Sequence, residues 1–290
     1  MKYLVFGETI WDVYPDKSVI GGAAYNFAAH AALMGADVQF VTGVGADDLG
    51  REAAELMKKY GIGTDFVCVN EKGTGRCIVT LDENGIPSYD VLTDTAYDNV
   101  EADDGFIEKI RAYAPDVFYF NTLCQRSPVS EKSIRRILDS VRFDCIFTDV
   151  NVRVGCCNKV SLDLCMSRSD IVKISDEEAH TLGDYGLIGD GEFAEEVKKA
   201  YPNIRLLVYT MGENGSIVYD FTSEKVHPSG KPDPVEVVST VGAGDCYSAA
   251  FLYSYLSGKS IEEAIRIAAD RACVVVANTE AIPESFLNQI

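Results

Sequence analysis

Short apolar runs rich in β-formers alternate along this chain with longer amphipathic stretches, and that rhythm admits few folds. The spacing predicts strands over residues 3–6, 38–42, 117–120, 145–149, 171–174 and 205–210. Helices are predicted over 24–34, 49–60, 104–113, 130–140, 177–182, 193–201, 245–256 and 261–277. Gly35, Gly61, Gly183 and Gly258 fall just past helical stretches, where a left-handed residue ends a helix. Such alternation specifies an α/β protein with a mainly parallel central sheet covered by helices on both faces. One region breaks the rhythm. The runs 76–81 and 87–92 flank Asp82-Glu83-Asn84-Gly85, and Asn-Gly supplies the positive φ of a tight hairpin. Two strands with no helix between them predict a lid or small accessory sheet around residues 70–96. No repeat, low-complexity tract or Pro/Ser-rich linker interrupts the chain, so a single domain over 1–290 is expected.

Charge narrows the partners. A formal net charge of −19 and a pI near 4.5 argue against nucleic acid and anionic membrane, both of which select a basic face. An anionic substrate must therefore be held by local groups. No apolar run reaches the length of a membrane span, and the apolar start at 1–6 is too short for a signal peptide, so a cytoplasmic location is expected. Nine cysteines without a CxxC suit free thiols, and three histidines leave little for a histidine-rich zinc site. His30, inside the apolar run 27–34, is expected to be a packed helix residue.

The chemistry is carried by Ser239-Thr240-Val241-Gly242-Ala243-Gly244-Asp245, a glycine-rich turn opening a helix. Backbone N–H groups at a helix start have no intrahelical partner, and the dipole makes that end electropositive. Small residues at Gly242, Ala243 and Gly244 let a phosphate approach those groups closely. Asp245, in the first turn, is placed to take a proton from a hydroxyl beside the phosphate, an arrangement suited to phosphoryl transfer. An ordinary helix start, with Asp245 merely stabilising the dipole, would share the turn. Two other nucleotide motifs fail. Gly258-Lys259-Ser260 has Tyr253 where a P-loop needs its first glycine, and 43–48 lacks the last glycine of a dinucleotide fingerprint.

Further candidates follow strand ends, where open parallel sheets bind ligands. Asp12 comes in the loop after the first strand. Asn26, which both donates and accepts, follows Gly21-Gly22. Asn121 follows the strand at 117–120, and Arg153 closes Asp149-Val150-Asn151-Val152-Arg153 with a planar fork suited to phosphate or to an acidic substrate. Ser175 and Glu178 have capping-box spacing.

These segments resemble the ribokinase-like (PfkB) sugar kinase family. Residues 239–245 are similar to its D-T-x-G-A-G-D signature, with Ser239 replacing the leading Asp, and 21–28 to its G-G-x-x-x-N-x-A segment. The order of motifs and the landmarks between them extend the resemblance over nearly the whole chain. It implies a three-layer α/β/α fold with a small β lid that covers the sugar and often mediates dimerisation. It implies ATP and Mg2+ as cofactors, with Asp245, Gly242, Ala243 and Gly244 catalytic. Asp12, Gly22, Asn26, Asn121 and Arg153 would hold a sugar, and Thr210, Gly212, Gly215 and Thr240 the nucleotide. Glu178 would organise the metal, largely through water. Gly-Glu-x-x-x-Asp at 7–12 and Phe120-Asn121-Thr122-Leu123-Cys124-Gln125-Arg126-Ser127 look fructokinase-like, which favours fructose. Ser239 lacks the carboxylate that many members of the family place near a monovalent-cation site, and 278–282 departs from the family's usual small Gly-Ala pair, so only weak dependence on potassium is expected. Ketodeoxygluconate and nucleoside kinases share the fold; the first would need an arginine such as Arg153, Arg126 or Arg76 in the pocket. A catalytically silent sugar-binding protein is the alternative of another class.

Overall fold

The computed structural model describes residues 1–81, 87–153 and 155–289. Its strands are β1 (Lys2–Phe6), β2 (Ile10–Val13), β3 (Ser18–Gly21), β4 (Asp37–Gly45), β5 (Ile62–Gly63), β6 (Val67–Asn70), β7 (Gly75–Leu81), β8 (Pro87–Val91), β9 (Val117–Phe120), β10 (Cys145–Asp149), β11 (Ile171–Ser175), β12 (Leu206–Thr210), β13 (Ser216–Asp220) and β14 (Lys225–Pro228). Its α-helices are α1 (Ala23–Leu33), α2 (Asp48–Lys59), α3 (Asp104–Tyr113), α4 (Pro128–Ser140), α5 (Lys159–Arg168), α6 (Asp176–Asp184), α7 (Phe193–Ala200), α8 (Ala243–Leu256) and α9 (Ile261–Val276).

The main sheet runs β14-β13-β12-β11-β10-β9-β1-β4-β5, with β6 on β4. From β12 through β5 every pairing is parallel; β13 and β14 add an antiparallel edge. Alternation within single strands explains the two-faced cover. In β9, Val117 and Tyr119 join the core shared with α1, α8 and α9, while Phe118 and Phe120 join the one built with α3 and α4. Phe27 of α1 stacks on Tyr119 with ring centroids 4.1 Å apart, a contact worth about 0.5–1.5 kcal/mol beyond its buried area. Helix α8 is apolar nearly all round because α1 and α9 flank it. Several helix starts are written in the sequence: Ser127 caps α4 ahead of Pro128, and Ser260 with Glu263 forms a capping box on α9.

The expected hairpin is present as β7 antiparallel to β8; its turn at 82–86 lies outside the described residues. It belongs to a larger lid than the spacing predicts. Strands β2 and β3 join it in a four-stranded sheet of order β3-β2-β7-β8. Residues 10–21 therefore leave the first strand as a second hairpin, not a loop. Gly35, Gly61 and Gly258 do take positive φ (99°, 76° and 87°), but Gly183 lies inside α6 and the left-handed residue there is Gly186. All nine cysteines are free. Among the described residues, no helix is long and apolar enough to cross a membrane.

Candidate active site

Because β1, β9, β10, β11 and β12 run in parallel, the segments after Phe6, Phe120, Asp149, Ser175 and Thr210 emerge at one edge of the sheet. The first turns of α1 and α8 meet there, where Asn26 Nδ2 donates to Asp245 Oδ2 at 2.8 Å. Gly242 is the N-cap of α8 at φ +82°, and a Cβ on it would lie 2.5 Å from that of Ala281, so only glycine fits. The Ala243 N–H donates to the Thr240 carbonyl at 3.3 Å. The amides of Gly242 and Gly244 have no acceptor among the described residues. Loss of water pushes the Asp245 carboxyl up to about 6, against the Asn26 hydrogen bond and the charges of Arg153 and Lys173. The result is a carboxylate whose proton affinity suits general-base work near neutral pH.

Beneath the turn lies a buried ion pair that the sequence did not single out. Lys173 Nζ donates to Asp149 Oδ1 at 3.1 Å, and Ser248 Oγ donates to Asp149 Oδ2 at 2.8 Å. A Cβ on Gly244 would stand 3.5 Å from Lys173 Nζ, which puts the ammonium directly under the glycine turn. Burial raises Asp149 to about 6 despite Lys173. For Lys173 burial opposes the charge, but Asp149, Glu178 and Asp245 outweigh it and its pKa is raised, so the ammonium persists. A lysine inside the apolar run Ile171-Val172-Lys173-Ile174 was the available signal.

The α1 side is dense with hydrogen bonds. Glu8 is fully buried and accepts from the Ala24 N–H at 3.1 Å, supplying the cap that Gly22 cannot. Gly22 takes φ +105°, and a Cβ there would meet the Glu8 carbonyl oxygen at 2.7 Å. Asn121, also fully buried, donates to both Glu8 oxygens (3.3 and 3.1 Å) and accepts from the Cys124 N–H at 3.0 Å. Its polar atoms are thus engaged within the protein. Asp12 lies on β2 of the lid sheet, in register with Cys77 of β7. Burial raises its carboxyl, while the Arg153 charge and the Cys77 thiol work the other way. Arg153 is exposed and its guanidinium takes no hydrogen bond or ion pair among the described residues, yet its charge reaches Glu8, Asp12 and Asp245. Arg126 is instead clamped on Asp98 at 2.7 and 2.8 Å, and Arg76 faces Asp47 at 3.5 Å.

The opposite side is made of turns. Thr210 ends β12, and the Met211 N–H closes on the Gly215 carbonyl at 2.8 Å around Gly212 (φ +53°) and Gly215 (φ +91°). Thr240 is exposed, and beside it Val237, Val238 and Val241 expose apolar surface. Glu178 closes a capping box: its Oε2 accepts from Ser175 N and Oγ at 3.0 and 2.8 Å, and its Oε1 from Val152 N at 2.7 Å. Burial works to raise this carboxyl, but Lys173 and those hydrogen bonds hold it below its usual value, so it stays ionised. No cluster of three or more metal-ligating side chains occurs among the described residues. Two surface cavities, one lined by Asn70, Lys72 and Asn99 and the other by Pro128, Lys132 and Arg136, include none of these site residues.

A parallel sheet with a β lid, a left-handed glycine at a helix start and a raised carboxylate beside it define a phosphotransferase with a ribokinase-like fold. The chain belongs to the pfkB family of carbohydrate kinases, whose model matches residues 4–286. It is thus a sugar kinase, with an alcohol group as acceptor. It is 26% identical over 282 residues to 5-dehydro-2-deoxygluconokinase 2 of Bacillus cereus, covering 91% of this chain and 82% of that one. Fructokinase with bound ATP from Xylella fastidiosa superposes with a TM-score of 0.83 at 20% identity, over 99% of this chain and 97% of that one. Vibrio cholerae fructokinase, in a form with fructose, ADP and calcium ion bound, gives 0.79 at 19% identity, over 99% and 98%. At these identities the two structures share the fold alone with this chain.

Proposed function

We propose that the protein transfers the γ-phosphoryl group of ATP to a primary hydroxyl of a small sugar, with fructose as the substrate. The observation that carries this reading is the Asp245 carboxylate, held by Asn26 at 2.8 Å in the first turn of a glycine-capped helix. Asp245 takes the proton from the hydroxyl as that oxygen attacks phosphorus. The Gly242 and Gly244 amides meet the charge growing on the transferred group, and Lys173 lies beneath. Ala243 holds the turn through Thr240. Asp12 and Asn26 position the sugar from the lid sheet and from α1, Gly22 lets them close on it, and Asn121 acts by fixing Glu8. Thr210, Gly212, Gly215 and Thr240 line the nucleotide, whose base suits the apolar strip at Val237, Val238 and Val241. The donor set fits Mg2+ bound chiefly by phosphate and water, with Glu178 reaching it through water because its oxygens already accept three hydrogen bonds. Such an ion would neutralise phosphate charge.

One observation favours a second substrate class. Arg153 carries no ion pair among the described residues and bears on Asp12 and Asp245, and the Bacillus cereus relative is named for a sugar acid. ADP release measured against fructose, 2-keto-3-deoxygluconate, 5-dehydro-2-deoxygluconate, ribose and a nucleoside decides between them. Fructose should give the highest kcat/KM. Turnover of an acid with none of fructose overturns the fructose reading and puts Arg153 on the substrate carboxylate. Sugar binding without any ADP release returns the protein to the silent class.

A further inference from the structure

His30 lies one turn beyond Asn26 on α1, on the same face. It is fully buried, and its Nε2 stands 2.9 Å from the Ala281 carbonyl oxygen. A carbonyl only accepts, so Nε2 carries the proton, while the buried Nδ1 has no hydrogen-bond partner among the described residues. Burial and the nearby Arg271 charge hold the ring neutral, with its pKa down to about 4. The ring is also edge-on to Phe286, with centroids 5.6 Å apart. Ala281 in turn sits against Gly242, close enough that a Cβ on the glycine would meet the Ala281 Cα at 2.9 Å. Helix α1 thus grips the glycine turn from two sides. Asn26 holds the carboxylate that follows it, and His30 holds the segment seated against its N-cap.

We propose that His30 is a positioning residue for the phosphoryl-binding turn: its Nε2–H bond to Ala281 keeps residues 279–282 pressed on Gly242 and so fixes the aim of the Gly242 and Gly244 amides. The kinetic half of this rests on the proposed transfer at Asp245; the structural half does not. A donor lost at this distance leaves the part-buried Ala281 carbonyl without the N–H it accepts from, which favours a shift of the segment away from α1.

Two variants separate the donor from the ring. His30→Phe keeps an aromatic ring for Phe286 and removes the donor; His30→Gln places an amide N–H near the Nε2 position. Amide hydrogen exchange on the unliganded protein reads the turn without any catalysis. His30→Phe should speed exchange across 240–246 and 279–283 by at least about tenfold, with α2 and α4 unchanged, and His30→Gln should restore most of the protection. In the kinase assay, His30→Phe should lower kcat about tenfold, corresponding to about 1.4 kcal/mol, with the sugar KM unchanged. Unaltered exchange in a folded His30→Phe protein overturns the proposal, as does a loss of protection spread evenly over the molecule. If His30→Phe does not fold, His30→Gln decides: wild-type exchange and kcat support the donor role, and loss of both in a folded protein overturns it. Should the wild type phosphorylate no sugar, the exchange result still stands or falls by itself.

Discussion

The two sides of the candidate site are built differently. On the α1 side and in the floor beneath the glycine turn, side chains hold one another: Asn26 on Asp245, Asn121 on Glu8, Glu8 on the start of α1, and Lys173 with Ser248 on Asp149. On the β12 side, backbone turns around Gly212 and Gly215, the exposed Thr240 and a strip of valines make up the surface. Engaged side chains are pre-aimed and cost little reorganisation when charge develops, whereas turns offer an accommodating cradle. On the proposed reading, chemistry and hydroxyl recognition fall to the first side, and tolerance to the second.

Substitutions sharpen or break that contrast, and the largest effects fall on the α1 side. Asp245→Asn should keep the fold and ATP affinity and lower kcat by about two to four powers of ten, since an amide accepts no proton. Lys173→Met leaves Asp149 buried without its partner and should lower unfolding stability by about 3–5 kcal/mol in a urea titration. The double variant Lys173→Met with Asp149→Leu should recover most of that. Asp12→Ala removes charge-assisted hydrogen bonds of about 1.5–3 kcal/mol each, so sugar kcat/KM should fall at least about tenfold with ATP KM unchanged. Thr240→Ala, on the opposite side, should change stability by less than about 0.5 kcal/mol and kcat/KM by less than about threefold. A Thr240→Ala effect exceeding that of Asp12→Ala would dissolve the contrast.

Much of the fold was legible because period and punctuation agree. The strands at 117–120 and 145–149 stand where the apolar runs put them, and Gly35, Gly61 and Gly258 end helices as glycines past an apolar stripe do. The lid was half legible. Asn84-Gly85 marked the hairpin between β7 and β8, but β2 and β3 are four residues each and joined across Pro15 and Asp16 without a glycine turn, so they read as loop. Helix α5 was missed because its apolar residues follow no clear stripe. At the site, the glycine turn and Asp245 were visible as local pattern. Glu8, Lys173 and the Asn121 hydrogen bonds were not, because each is defined by a partner more than a hundred residues away or across the sheet. His30 was expected to be packed, and it is; its bond to Ala281 spans 251 residues and leaves no local trace.

The pH dependence of kcat/KM for fructose, in the wild type and in Asp245→Asn, tests the central assignment most directly. Asp245 must be ionised to accept the proton, and burial raises its carboxyl from the ordinary value to about 6. The wild-type profile should therefore be flat above about pH 7 and fall towards tenfold per pH unit below about 6, the slope of one essential ionised group in the free enzyme. Asp245→Asn should be slower by orders of magnitude and lack that acidic limb. Near-wild-type turnover in a folded Asp245→Asn protein, with the acidic limb still present, would contradict the account and move the base to another group.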